Sequence, residues 1–271
     1  MDEEAMMLYC DKLLDGYNSL IELDGNGRAM MMDVGVLRLA PGMTFDFDEA
    51  EKETALMVIE GDAKFEADGG ELCDNRTNPY EDLPFGVLFA KGHRMHVSSE
   101  KGCDIFVQKS LNERDYPTQF YPKASVMLAV TGEGMLDDTM HRKVRTMFDY
   151  DSAPFSNMVL GDTINKPGRW SGYIPHIHPQ PEVYFYRFSK PQGFGAGFEG
   201  DNAYKIKNNS LLMINSNAEH PQVTAPGYAM MTIWGIRHND GDPWVRATSC
   251  YEPEEHKWMR EEGAEFPNIT K

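Results

Sequence analysis

Cysteine is scarce in this chain and never paired: Cys10, Cys73, Cys103 and Cys250 stand singly, with no CxxC motif. Four scattered thiols in 271 residues exclude a disulfide scaffold, and each reads as a reduced, small buried group. Basic residues are also few, 26 against 43 acidic, for a formal charge of -17. A surface of that sign repels phosphate backbones and anionic lipid, so neither nucleic acid nor a membrane is an expected partner. No stretch approaches the roughly 18 uninterrupted apolar residues of a membrane span. The opening MDEEAMMLYCDKLLDG lacks the basic segment and apolar core of a secretory signal. A cytoplasmic location is expected.

What is present is an ordinary globular composition, with 41% hydrophobic and 11% aromatic residues. The length fits two compact units. Turn signals recur at short intervals, among them Gly25-Asn26-Gly27, Pro41-Gly42, Gly69-Gly70 and Gly132-Glu133-Gly134. Between them lie brief runs rich in Val, Ile, Leu, Phe and Tyr, often with period-two alternation. The fold class is therefore all-β. Two regions share an outline: Gly35–Gly42, Thr54–Gly61 and Leu83–Ala90 in the first, and Asn157–Gly161, Glu182–Arg187 and Ser210–Ile214 in the second. Such a repeat predicts two tandem jelly-roll barrels, residues 1–120 and 121–271, divided where prolines interrupt the pattern near Tyr116 to Lys123. Short helices are expected only at the ends, over Asp2 to Leu14 and over Pro253 to Glu262.

Chemistry concentrates in Gly172-Tyr-Ile-Pro-His-Ile-His-Pro-Gln-Pro-Glu-Val-Tyr-Phe-Tyr-Arg187. On a strand, side chains two apart share a face, which points His176 and His178 toward one metal ion. Glu182 heads the next strand after a proline-containing turn, where an antiparallel return brings its carboxylate beside them. His220, after the polar turn Asn215-Ser-Asn-Ala-Glu219, closes the set from another strand. Three imidazoles and a carboxylate suit one divalent transition metal such as zinc, manganese or iron, rather than calcium or magnesium. If Glu182 faces the barrel interior, alternation sends Tyr184 and Tyr186 the same way, as proton shuttles or hydroxyl clamps. Gln222, two beyond His220, also faces inward. The first half offers no equivalent set, because His93 and His96 are three apart. Gly195-Ala-Gly-Phe-Glu-Gly200 matches GxGxxG, but no helical pattern follows, so it reads as a glycine-rich turn and not a dinucleotide site.

The run His176-X-His178-X-X-X-Glu182 followed by His220 resembles the metal motifs of cupins, and the repeat outline resembles a bicupin. A closer resemblance covers Gly168–His178, Glu182–Arg187, Gly193–Gly195 and His220–Tyr228, which look like the 5-deoxy-glucuronate isomerases of inositol catabolism. Asp162 stands where that family usually carries a glutamate. The resemblance implies a metal-dependent aldose-to-ketose isomerisation of a sugar acid, with Glu182, Tyr184 and Tyr186 near the reacting atoms; related uronate ketol-isomerases share the bicupin fold. An anionic substrate approaching an acidic protein needs a local cation, and Arg187, Arg169 and Arg237 are the candidates, with Gln222 for a sugar hydroxyl. An iron-dependent cupin dioxygenase and a non-catalytic sugar-binding bicupin are the alternatives. Uncovered strand edges make a homo-oligomer the expected assembly.

Overall fold

The structure, a computed structural model, describes residues 6–261. It is built from antiparallel strands in three sheets. The first has nine strands, with Lys52–Ala67 at its centre between Gly86–Phe89 and Cys103–Leu111. A second has seven strands, in the order Met7–Tyr9, Ser210–Ile214, Glu182–Phe188, Met230–Arg237, Met158–Asn165, Arg142–Phe148 and Met127–Thr131. The third has four short strands, Trp170–Ser171, Gln222–Thr224, Phe194–Glu199 and Asn202–Lys207. No helix among the described residues is long and apolar enough to cross a membrane.

Alternation explains how the layers stack. Along Glu182–Phe188, Val183 and Phe185 join a core shared with the nine-stranded sheet, while Tyr184, Tyr186 and Phe188 join a separate cluster on the opposite face. Met230–Arg237 divides in the same way, with Met231 and Ile233 on the shared side and Trp234 and Ile236 on the other. The nine-stranded sheet contributes Val34, Val36, Met57, Leu88 and Phe106 to the shared core. Its other face is filled by Phe47, Phe65, Phe85 and Phe89 with the aliphatic residues around them. The two large sheets thus pack face to face through one continuous apolar layer, and each keeps a second face for its own interior.

A polar knot interrupts that layer. Asp162 has the parity of Leu160 and turns toward the first half, where its carboxylate meets Arg76 Nη2 at 2.5 Å and Arg145 Nη2 at 2.8 Å. All three side chains are almost fully buried. The remaining guanidinium donors bind backbone carbonyls, Arg76 those of Val58 and Pro79 and Arg145 those of Asp82 and Pro79. Two cations around one anion are tolerable in the interior because every surplus donor finds a carbonyl.

Three local expectations change. Met7–Tyr9 is a strand, paired with Ser210–Ile214 at the edge of the seven-stranded sheet, so no helix runs through it; the part before Met6 lies outside the described residues. At the other end Glu254–Arg260 is a 3-10 helix entered from Pro253, and Glu262 lies outside the described residues. The glycine run at 195–200 is mostly strand, Phe194–Glu199. Glycine is needed there for close approach, since a Cβ on Gly195 would sit 2.1 Å from the Val223 carbonyl oxygen.

The knot yields a stability prediction. Asp162→Ala leaves two buried guanidiniums without their counter-ion and is expected to cost about 3–5 kcal/mol. Urea unfolding followed by circular dichroism checks this, and an unchanged midpoint contradicts it.

Candidate metal centre and cavity

The histidine-bearing segment is extended but is not a strand. Pro175, Pro179 and Pro181 remove the N–H donors a ladder needs, and only Ile177 makes a bridge, to Tyr251. Other contacts fix the segment: the His178 carbonyl accepts from Asn217 N at 2.8 Å, and Gln180 Nε2 donates to the Asp242 carbonyl at 2.8 Å. Gly172, at φ 62°, allows the chain to enter beneath His220, because a Cβ there would lie 2.8 Å from the His220 carbonyl oxygen.

His178, Glu182 and His220 form one compact group, with ligand atoms all within 4.8 Å of one another. Glu182 Oε2 lies 3.3 Å from Nε2 of both histidines. The fourth predicted ligand, His176, stands alongside, its ring centroid 4.7 Å from that of His220 and 6.3 Å from that of His178. His178 Nδ1 lies 2.9 Å from the Gln180 carbonyl, and His220 Nδ1 lies 2.8 Å from that of Ala218. A carbonyl only accepts, so each Nδ1 carries the proton and each Nε2 presents a bare electron pair to the cluster. His220 Nε2 is buried and makes no hydrogen bond. Two imidazole lone pairs and a carboxylate oxygen converging in a dry site repel one another unless a cation lies between them, so this donor set fits a metal ion.

Burial tunes the same groups. Loss of water holds His176 and His178 down at about 4 and His220 at about 3, so all three are neutral, as ligands must be. Burial pushes Glu182 up to about 7, opposed by the nearby His220 and by a hydrogen bond with Tyr184.

The cavity beside this group is lined by His176, His178, Glu182, Tyr184, Gln222 and Trp234, among others. Gln222 is buried; Thr232 Oγ1 donates to its Oε1 at 3.3 Å. Tyr184 lies beside His220, ring centroids 5.8 Å apart, and burial raises its phenol well above the usual range. Tyr186 has the expected parity but sits deeper, outside the lining, fully buried with its hydroxyl unpartnered.

None of the three arginines expected to meet a substrate lines the cavity. Arg187 points to the shared layer, where it binds Asp104 at 2.5 Å and approaches the Phe185 ring. Arg237 is tied to Ser110 and Asp240. Arg169 lies partly exposed. His93 and His96 of the first half pair with Asp115 and Asp46 at its surface. The cavity's cations are instead Arg142 and Arg246. Arg142 shares a strand face with Val144 and is held at about 10 by burial, against a favourable interaction with Tyr184. Arg246 begins the one-turn helix Arg246–Ser249 and rests over Trp234 and Trp244. The sequence gives no local signal for either. Arg142 sits in Arg142-Lys-Val-Arg145, where parity alone separates the cavity side from the knot side, and Arg246 arrives by a tertiary return of the chain.

Two outcomes follow. Replacing His220 with Ala is expected to abolish stoichiometric cobalt binding, read from the visible absorption of the Co(II) form, with the circular dichroism unchanged. For the metal-free protein, His176, His178, His220 and His238 have folded values of about 3 to 4 against an ordinary histidine value of 6.5, so the unfolded chain binds more protons in between. Their contribution is complete above pH 6.5 and is lost on acidification toward pH 4, while Glu182, raised from 4.5 to about 7, opposes it as one group against four. Calorimetry should therefore show the Tm falling between pH 6.5 and 4; a flat or rising Tm contradicts the assignment.

Comparison with known proteins agrees with the geometry. The chain is 21% identical over 241 residues to the 5-deoxy-glucuronate isomerase of Geobacillus kaustophilus, covering 82% of this chain and 83% of that one. It is 23% identical over 203 residues to the protein of the same name from Bacillus velezensis, covering 68% and 71%. Among solved structures, an IolB-like protein from Salmonella typhimurium LT2 superposes with a TM-score of 0.82 at 18% identity, over 94% of this chain and 99% of that one. The oxalate decarboxylase of Lactobacillus farciminis superposes at 0.62 with 12% identity, over 93% and 88%. These likenesses place the all-β architecture with the bicupins. The family model of the KduI/IolB family matches residues 12–259, and the chain belongs to that family.

Proposed function

We propose that this protein is a metal-dependent isomerase that converts 5-deoxy-glucuronate to its ketose isomer, the keto acid 5-dehydro-2-deoxy-gluconate, in the cytoplasmic breakdown of myo-inositol. The observation that carries the reading is the buried group His178, Glu182 and His220, with its unpartnered imidazole nitrogen, opening on a cavity in a chain of this family. The relatives' activity supplies the substrate. The four free cysteines accord with a reducing compartment.

Aldose-to-ketose isomerisation moves a proton from C2 to C1 and redistributes protons on the two oxygens, so it needs an electrophile at the carbonyl, a base at C2 and a donor at oxygen. His178, Glu182 and His220, with His176 adjacent, would hold a divalent metal, which would supply polarisation of the carbonyl and the neighbouring hydroxyl. Glu182 is the only carboxylate in the lining among the described residues. Its Oε2 faces both histidines, which leaves Oε1 to take the proton from carbon. Tyr184 stays protonated and donates to a substrate oxygen. Tyr186 packs against it, ring centroids 6.2 Å apart, and fixes the position of that phenol. Gln222 offers an amide to a sugar hydroxyl.

The test is NMR of the purified protein loaded separately with Mn, Fe(II) and Zn and incubated anaerobically with 5-deoxy-glucuronate. Signals of the keto acid should grow with at least one metal. His178→Ala should lower the rate by about a thousandfold or more while the fold is retained. Absence of conversion with every metal refutes the reading, as does full activity in the variant. Tyr184→Phe should lower kcat by about a hundredfold, in line with loss of a positioned proton donor.

A further inference from the structure

The cavity carries positive charge that the protein itself does not neutralise. Elsewhere in this acidic chain five buried or half-buried arginines are matched with aspartate: Arg38 and Arg187 with Asp104, Arg76 and Arg145 with Asp162, and Arg237 with Asp240; Arg169, half-buried and outside the cavity lining, makes no ion pair among the described residues. Arg142 and Arg246 make no ion pair among the described residues. For Arg142 the contact is Nη1 to the Met140 carbonyl at 2.9 Å, and for Arg246 it is Nη2 to the Thr146 hydroxyl at 2.8 Å. A guanidinium has five N–H donors, so most of each fork remains available.

Their placement is ordered. Arg142, Val144 and Thr146 share one face of Arg142–Phe148, and the first two line the cavity. Arg246 is anchored to the third, with its plane held 5.7 Å from the Trp234 ring and 5.4 Å from the Trp244 ring. Both cations therefore lie along one wall of the cavity that contains His178 and Glu182. Glu182, the only carboxylate in the lining among the described residues, has its Oε2 3.3 Å from both histidines; Arg246 is near enough to favour its charged form but makes no ion pair with it. Half-burial makes the lone charge of Arg142 the costlier to leave unpaired; Arg246 is exposed.

We propose that this wall is the anion subsite of the cavity: Arg142 anchors the carboxylate of a sugar acid whose other end reaches the His178, Glu182 and His220 group, and Arg246 supplies a second positive charge at the mouth. The isomerase reading fixes only which end of the sugar faces the metal group; binding through the arginines does not require turnover. The subsite selects against neutral sugars, because a CH2OH in place of the carboxylate leaves Arg142 uncompensated.

Glucuronate and glucose differ by that group and serve as probes. Calorimetric titration of the zinc-loaded protein should show glucuronate binding at least about tenfold tighter than glucose, the scale of a charge-assisted contact. Arg142→Met should weaken glucuronate by about tenfold to a hundredfold and leave glucose unchanged. In Arg142→Lys part of the affinity should return, since the ammonium keeps the charge but not the planar fork. Arg246→Met should lose less, and its loss should shrink in high salt, as expected for an exposed charge. Zinc content and circular dichroism report whether each variant is folded, and the Lys variant together with Arg246→Met keeps the test alive if Arg142→Met is not. The proposal is overturned if Arg142→Met binds glucuronate as tightly as the parent protein, if the parent binds glucose equally well, or if it binds neither. Arginine-dependent glucuronate binding without conversion of 5-deoxy-glucuronate upholds the subsite and refutes the reaction; conversion that survives Arg142→Met with unchanged KM does the reverse.

Discussion

The strand Glu182–Phe188 is buried on both faces, and its period-two alternation is the constraint from which the site follows. Val183 and Phe185 are held in the layer between the two large sheets, so Glu182, Tyr184 and Tyr186 must face the other way. A slip of one residue would place the carboxylate in the shared apolar layer and Val183 against the histidines. The apolar contact between the two large sheets thereby aims a polar side chain on the opposite face of the same strand. Fold stability and ligand geometry are set by the same register, defined on both sides by pairing with Ser210–Ile214 and Met230–Arg237.

The two halves repeat an outline but use their interiors differently. The first is packed with phenylalanine rings, several in edge-to-face contact, such as Phe47 with Phe89 and Phe65 with Phe85. The second replaces part of that filling with His178, Glu182, His220 and a cavity walled by Trp234 and Trp244. Gly161 makes room for one of these walls: a Cβ there would lie 2.4 Å from the Trp234 ring. A filled barrel braced against a hollow one gives the site a rigid back without placing chemistry in both.

The features legible in the sequence were those governed by short-range periodicity. Strand content and the inward parity of Tyr184 and Gln222 follow from counting by two along strands, while the grouping of His178 and His220 with Glu182 follows from turns that return the chain to one place. Features that depend on which surfaces meet were not legible. Arg142 and Arg246 do not stand out from the other arginines until Asp104 is brought to Arg187 and Thr146 to Arg246 from distant segments. Asp162 sits among apolar neighbours without local sign that Arg76, from the other half, will enclose it. The opening residues have a helix-compatible pattern, but the edge of a sheet offers Met7–Tyr9 a full set of hydrogen-bond partners, and tertiary pairing overrides weak local preference.

That opening strand also bears on the order in which the molecule can be made. Met7 is paired with Leu212, so this strand waits for roughly two hundred further residues before its partner exists. During synthesis the nascent first half must carry an unpaired segment, and the face it turns toward the second half is exposed as well. Completion of the second half covers both at once.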